Sequence, residues 1–586
     1  MSWDPGLANN NADLFDSARA EVILPSGVTN DTFPAHLISG LPGFGIWNLF
    51  GSHDAKFERY SDPSRAEDNT RVVGGSFGPG SLPLDSDPLF GHALTLNGKL
   101  VDLDPRAVWN SQIYFDRFSL GDSSLGLSAT RTHTMHSRWI NFSRNIGGLP
   151  SAGGAGVVWQ TTFPKGTFEL HGTDQSPLLA KIKEVMEEQD DIAGLMLRFA
   201  TYRTLYFQNG ILNSIPHQPR TVAELAAMHQ QGHYFSNPAY SRVVGTIGLW
   251  QHDEAATWPG GRYLTPSNPI PGVGVPCGPA VFEISDTHLV IDFLHVIPEV
   301  NADLEKLDLG PLIVSVQAAG TAVDIGQINL SDYGQVAYES RGGIVELAVA
   351  LDLANLVRSG ELVISSTIDG ERVELLREQR YTAVVDRRDV YLNQNETHSV
   401  TVRVLDHGRP PSVSTNVVVG SYRVGPGGGV ARTSDPETVH SVDADGNMTI
   451  TVQHSELGPL DYRMQPYEAS SLVPSLPPQL DIMSDQFFST RTLPTDMDLN
   501  DNASDSELTW EFIYNTVLRH WDLISPVMTQ RGLPLNDQAL MEALAATIVE
   551  VTSKDPAMFE SARYMPITRD LSDGKRELLR RWARLH

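Results

Sequence analysis

The sequence predicts a mainly β protein, α+β overall: a many-stranded body, a small β-sandwich module and a helical C-terminal segment. Three observations carry this expectation. Short runs rich in β-branched and aromatic residues recur through residues 1–388 between Gly, Pro, Asn and Asp clusters. Residues 389–465 hold several short strand-like runs at close spacing. Long 3.6-residue periodicity is concentrated after residue 505.

In the body, β-type runs are expected at Arg19–Leu24, His92–Val101, Gln112–Ser119, Gly156–Thr162 and Thr167–His171. Asn97-Gly98, between two apolar runs, reads as a hairpin turn. Two inserted helices are expected, at about 176–190 and 221–230. Ser176 caps the first, Pro177 suits its opening turn, and Leu178, Leu179, Ile182, Val185 and Met186 share one face. Thr221 and Glu224 form a capping box for the second. Further strands are read at Ile192–Phe207, Val243–Trp250, His288–Val296, Pro311–Ala318, Ile344–Ala350 and Glu361–Thr367.

Within 389–465, Ser441-Val-Asp-Ala-Asp-Gly446-Asn-Met-Thr-Ile-Thr-Val452 resembles the last hairpin of bacterial immunoglobulin-like modules, an Asp-rich Gly turn feeding the closing strand. Residues 466–505, Pro- and Ser-rich and then acidic, read as a linker. Residues 506–586 give three amphipathic helices, Ser506–Leu523, Asn536–Val551 and Ser572–Leu585. The last carries Lys575, Arg576, Arg580, Arg581 and Arg584 against Asp573 and Glu577, a pattern that suits the helix dipole or an acidic partner.

Composition narrows the function classes. With 41% hydrophobic residues the 586-residue chain can fill several cores, about three or four domains by length, and is not a disordered polymer. A net charge of −28 disfavours nucleic acid and anionic membranes. No apolar run of about 18 residues predicts a transmembrane helix, and Met1-Ser-Trp-Asp-Pro-Gly-Leu has no signal-peptide pattern, so a cytoplasmic location is expected. The single cysteine, Cys277, excludes an intramolecular disulfide and any multi-cysteine metal site.

Walker-type loops, His-Glu-x-x-His and Gly-x-Ser-x-Gly are absent. Glu437-x-x-His440 has di-iron spacing but lies among strands rather than in a bundle. The most suggestive cluster is His133-Thr-Met-His136-Ser-Arg138-Trp139. It reads either as a haem or metal ligand with an arginine for a carboxylate, or as a polar strand edge with Trp139 in the core. Asp102-Leu-Asp104 reads either as a carboxylate pair on one strand face or as an Asx-type turn.

Gly98-Lys-Leu-Val-Asp102-Leu-Asp104-Pro105 with Ser111-Gln-Ile-Tyr114 resembles the enzymes that make bis-indole pigment precursors, the chromopyrrolic acid synthases and violacein-pathway imine dimer synthases. The resemblance recurs in order: Asp4-Pro-Gly-Leu-Ala-Asn-Asn10, Val243-Val-Gly-Thr-Ile-Gly-Leu-Trp250, Trp258-Pro-Gly-Gly-Arg262, Leu508-Thr-Trp-Glu-Phe-Ile-Tyr514 and Tyr564-Met-Pro-Ile-Thr-Arg-Asp-Leu-Ser572. Family proteins are much longer, with a ferritin-like helical second half, so this chain is expected to correspond to their N-terminal half and to start short. The resemblance implies haem and oxidative coupling of two aryl imino acids supplied by a flavin amino-acid oxidase. Which half of the family proteins holds the haem stays open; if it is this half, the resemblance implies His136 as the iron ligand with Arg138 beside the cofactor, with a His-to-Arg spacing that differs from the family's by one residue. Trp139 and Trp250, with Trp159 and Trp258, would wall an aromatic substrate, and Asp102 and Asp104 would lie near it. Cys277 has no counterpart. Two rival expectations are a non-catalytic scaffold docking a separate ferritin-like or oxidase partner, and a surface glycan-binding β protein.

Overall fold

The computed structural model describes residues 70–104, 107–141, 156–208, 239–300, 305–318, 320–424, 430–524 and 532–586, with short strand pieces at Phe15–Asp16, Glu21–Val22, Asp54–Lys56 and Ile211–Leu212. The fold is β-rich, as its sequence predicts, and its helices gather toward the C-terminal side. Among the described residues no helix is long and apolar enough to cross a membrane.

The first sheet contains β1 (Leu94–Asp104), β2 (Ala107–Gly121), β3 (Gly126–Thr130), β4 (Met135–His136) and, beyond two intervening strands, β7 (Phe168–His171). Its order is β7-β3-β2-β1 and then Asp54–Lys56, with β4 pairing β2. The Asn97-Gly98 turn does not form. β1 runs through it, the β1–β2 register shifts between Leu96 and Gly98, and Ala55 and Lys56 pair with Gly98 and Asn97. A glycine inside a strand lets a bulge absorb an extra residue without a chain reversal.

The second sheet brings together β5 (Arg138–Asn141), β6 (Gly156–Pro164), β8 (Ile192–Gln208) and β9 (Ala239–Gln251). β6 is buried on both faces, so its Gln160, Thr161 and Thr162 lie inside the protein and must find partners there. Gln160 Nε2 donates to the carbonyls of Ala255 (3.2 Å) and Trp258 (2.9 Å), which fixes the 255–258 loop. Between the sheets, helix α1 (Pro177–Glu188) starts as the sequence dictates: Ser176 Oγ accepts from Leu179 N at 3.2 Å, and Ile182 and Met186 pack on the first core. The expected helix at 221–230 lies outside the described residues.

The third sheet has eight described strands: β10 (Arg262–Pro266), β11 (Ala280–Ile284), β12 (His288–Asp292), β13 (Leu312–Ala318), β14 (Thr321–Ile328), β15 (Ile344–Ala348), β16 (Glu361–Ile368) and β17 (Glu371–Gln379). Their order is β14-β13-β16-β17-β10-β11-β12-β15, all antiparallel. Cys277 is buried in this sheet's core.

A two-sheet sandwich follows. One sheet is β18 (Tyr381–Val384), β20 (Thr397–Asp406) and β24 (Asn447–Gln453). The other orders β19 (Asp389–Asn393), β26 (Phe487–Leu493), β25 (Gly458–Glu468), β21 (Thr415–Val424) and β22 (Val430–Arg432), with β23 (Thr438–Ser441) also on β21. The alternating Met448, Ile450 and Val452 of β24 face Val400, Val402 and Val417 in one core.

Two sequence expectations are corrected here. β23 and β24, which flank the Asp-rich turn, pair with different sheets, so the turn crosses the sandwich instead of closing a hairpin. Residues 466–505 are not a linker throughout: β26 lies within them, all seven residues buried, paired parallel to β19 and antiparallel to β25. Its Ser489, Thr490, Arg491 and Thr492 are polar, which hides a strand from hydrophobic patterning when both faces are enclosed by protein. β18 likewise joins the sandwich from before residue 389.

The C-terminal helices form a separate core around Trp521, Leu578, Leu579 and Trp582, with Trp510 against Trp582. The first is helical from Trp510, capped by Thr509, and passes through a π turn at Tyr514–Leu518. The second breaks at Leu544 into Gln538–Ala543 and Ala545–Val551. The third, α2 (Asp573–Ala583), has Ser572 at its N-cap position without a capping side-chain bond. Several of its cations are used inside the chain: Arg581 reaches Asp505 (2.6 Å) and the carbonyl of Ala503 (2.7 Å), and Arg576 reaches Tyr564 Oη (3.0 Å).

Candidate functional site

β4, β5 and the start of β19 bring the most suggestive sequence cluster into a buried polar layer. His136 sits opposite Gln112 of β2, and its Nδ1 lies 2.8 Å from Asp389 Oδ2, the first residue of β19. Ser137, between β4 and β5, donates through Oγ to the carbonyl of Trp109 (2.8 Å) and accepts from Ser111 N (3.1 Å). Arg138 opens β5. Its Nη2 donates to the carbonyl of Val385 (2.9 Å), and its guanidinium lies 4.6 Å over the Trp258 ring. Arg388 comes from the opposite side: Nη1 meets the Ser137 carbonyl, and Nη2 meets the Trp109 carbonyl and Asn110 Oδ1, both at 3.0 Å. Its guanidinium lies 4.0 Å over Phe487.

Trp139 is buried against Tyr263, ring centroids 5.6 Å apart, with φ at 52°. A bulky residue in the left-handed region stores about 1–3 kcal/mol of strain, and here it falls at the β5–β6 register shift. That irregularity aims Arg138 and Trp139 away from ordinary strand alternation.

Burial governs the electrostatics. It holds the His136 imidazole below its ordinary value, with the Asp389 hydrogen bond opposing. The ring is therefore neutral at pH 7. With a carboxylate as acceptor at Nδ1, that nitrogen carries the proton and Nε2 keeps the lone pair. Burial, then the neighbouring Arg388 cation, pushes Arg138 down to about 9, still charged at neutral pH. Arg388 is lowered by burial as well.

This has a consequence for acid stability. The unfolded histidine titrates near 6.5 and the folded one lower, so below that pH the unfolded chain binds more protons. Stability from this group is intact above about pH 6.5 and declines as pH falls, by up to about 1.4 kcal/mol per pH unit. His136→Asn keeps a donor to Asp389 without a titrating ring. Its urea midpoint should fall less than wild type's between about pH 7 and pH 5, and an unchanged acid limb would refute the assignment.

The sequence cluster divides. His133, three residues from His136, faces elsewhere: its ring contacts Thr132 Oγ1 (3.0 Å) and meets Trp250 edge-on at 6.5 Å. Trp250 donates to the carbonyl of Glu254 (3.1 Å) and so lies with His133 rather than with His136. Asp102 is buried and bonds Ser111 Oγ, so it supports the strand that carries Gln112. Asp104 pairs through its backbone with Ala107 at the end of β1.

Sequence reasoning missed Asp389 and Arg388. The signal was present in Asp386-Arg387-Arg388-Asp389, four charged residues directly before an apolar strand. It also missed Arg569, whose guanidinium lies 3.2 Å over the Tyr114 ring. Burial lowers Arg569 and raises Tyr114 and Tyr391, so both phenols stay protonated. Three segments that carry the family resemblance thus meet: Ser111–Tyr114, the Trp258 loop and Tyr564–Ser572.

No protein-family model matches the chain. Over 508 residues it is 25% identical to the 2-imino-3-(indol-3-yl)propanoate dimerase of Chromobacterium violaceum, a match covering 82% of this chain and 43% of that protein. This chain is a distant relative of an imine dimerase. It spans less than half the length of that curated relative. Among solved structures, the D0-D1 domain of intimin is 12% identical over 35% of this chain and 90% of its own, with a TM-score of 0.16. Escherichia coli alpha-2-macroglobulin activated by porcine elastase is 9% identical over 71% of this chain and 38% of its own, at 0.14.

Proposed function

We propose that the chain takes part in the oxidative coupling of two aryl 2-imino acids, as a haem protein whose iron ligand is His136 Nε2. The observation that carries this reading is the buried His136–Asp389 pair at 2.8 Å. Asp389 fixes the ring through Nδ1 and raises the basicity of Nε2, the arrangement metal-binding imidazoles use. The residues present therefore fit a haem that would be held by an imidazole anchored through Nδ1. Haem supplies one-electron oxidation when bound.

The chain's own residues do the rest. Trp258 offers aromatic surface beside Arg138, whereas Trp139 packs on Tyr263. The enclosed layer keeps water from an imine that water would hydrolyse. The distant relative's name specifies an indolyl imino acid, which suits such walls. A flavin-dependent amino-acid oxidase would supply the substrate, and a ferritin-like protein is the other partner the resemblance implies.

The test is an absorption spectrum of protein produced with a haem supply. A Soret band is expected in wild type, lost or strongly shifted in His136→Ala and shifted in Asp389→Asn. A band that His136→Ala leaves unchanged would remove His136 as ligand, and no band at all would remove the haem.

A further inference from the structure

We infer that Arg138 and Arg388 form a buried carboxylate site whose ligand is an aryl 2-imino acid, with Asp389 Oδ1 receiving the imine N–H. Both guanidiniums are enclosed, 1% and 3% exposed. Among the described residues neither makes an ion pair. The N–H groups they do use go to neutral oxygens: the carbonyls of Val385, Asp386, Ser137 and Trp109, Thr257 Oγ1 and Asn110 Oδ1. Three further guanidinium nitrogens, Arg138 Nε and Nη1 and Arg388 Nε, are buried with no hydrogen-bond partner among the described residues. Two buried cations near one another, with the field of Asp389 acting on both but no direct carboxylate contact to either, favour an anion that joins them. The nearby Asp389 accepts from His136 Nδ1 through Oδ2, and its Oδ1 has no hydrogen-bond partner among the described residues.

The unmet groups are therefore three charged donors and one carboxylate acceptor. A 2-imino acid presents the complement: a carboxylate for the guanidiniums and an adjacent N–H for the acceptor. The site also lies one loop below the surface. Arg138 Nη2 bonds the carbonyls of Val385 and Asp386, whereas the side chains of Asp386 and Arg387 are exposed. Asp386 in turn accepts from Thr257 N (2.9 Å) and Ala256 N (3.1 Å), so opening the 385–388 loop against the Trp258 loop would admit a ligand directly to the pair. The aryl part of the ligand rests on the coupling reading; the carboxylate and N–H parts rest on the geometry alone.

The test uses stable stand-ins on the full chain, with and without haem: L-tryptophan (carboxylate and N–H donors), tryptamine (no carboxylate) and inorganic phosphate, measured by calorimetry. Tryptophan should bind wild type, and tryptamine about tenfold or more weakly. Arg388→Lys and Arg138→Lys should each weaken tryptophan binding by about tenfold. Arg138→Lys retains the cation and one donor to the Val385 carbonyl, so it keeps the experiment decisive where Arg388→Lys unfolds. Equal binding of tryptamine, equal binding of phosphate, or tryptophan binding unchanged in a folded lysine variant would overturn the proposal. If the lysine variants weaken haem uptake and leave tryptophan binding alone, the carboxylate belongs to a haem propionate and the proposal also falls. Arginine-dependent tryptophan binding without any Soret band would sustain this site while ending the haem reading.

Discussion

Asp389→Ala is expected to lower unfolding free energy by about 3–5 kcal/mol, read as a urea midpoint shift, because it strips the carboxylate from a buried pair. His136 Nδ1 would lose its acceptor in a buried position. Arg138 and Arg388 would lose the one carboxylate whose field offsets both burials. The effect is larger than that of a surface ion pair, about 0–1 kcal/mol, since nothing here can relax into solvent. Asp389→Asn keeps the shape and one acceptor oxygen, so it should fall between the two. A loss under about 1 kcal/mol for the alanine variant would mean that His136 is not held by this contact.

The parts of the fold that were legible share a physical feature: one buried face against one solvated face, or a complete local signal. Ser176-Pro177 carries its helix start within four residues, and the observed cap uses that hydroxyl. β24 alternates buried and exposed residues along its length. Where both faces are buried, periodicity disappears. β26 went unseen because Ser489, Thr490, Arg491 and Thr492 are polar yet enclosed. Asn97-Gly98 misled for a different reason: the same dipeptide serves a turn or a bulge, and pairing on both sides of β1 selects the bulge.

At the candidate site, sequence reasoning found His136, Arg138 and Trp139 as neighbours in the chain. It could not separate His133 from His136, because His133 falls in a bend before the strand that carries His136, and a bend breaks the alternation that would fix the two side chains' faces. It could not find Asp389 either. That partner lies 253 residues away, and nothing local to His136 specifies it. Within the charged run Asp386–Asp389, Asp386 and Arg387 stay exposed while Arg388 and Asp389 turn inward where the strand begins.

Arg569→Ala is expected to cost about 3–5 kcal/mol and to loosen the C-terminal helices first. Arg569 is nearly fully buried and spends its fork on three carbonyls: Phe559 (3.0 Å, from Nε), Ile567 (2.7 Å, from Nη1) and Ser561 (2.8 Å, from Nη2). Alanine would orphan all three and remove the cation from the face of Tyr114. Tyr114 bonds Gln112, and Gln112 sits opposite His136, so the same residue braces the back of the polar layer. Lysine would keep a charge over Tyr114 but cannot satisfy three carbonyls in one plane, and should recover less than half of the loss. Because φ at this position is 58°, glycine should be less damaging than alanine by the backbone term, about 1 kcal/mol. Limited proteolysis and the fluorescence of Trp510, Trp521 and Trp582 would report the helices, and far-ultraviolet circular dichroism the β body. Loss of both signals at one denaturant concentration would show that the helices and the body unfold as one unit; loss of the tryptophan signal first would show that Arg569 is the tie between them.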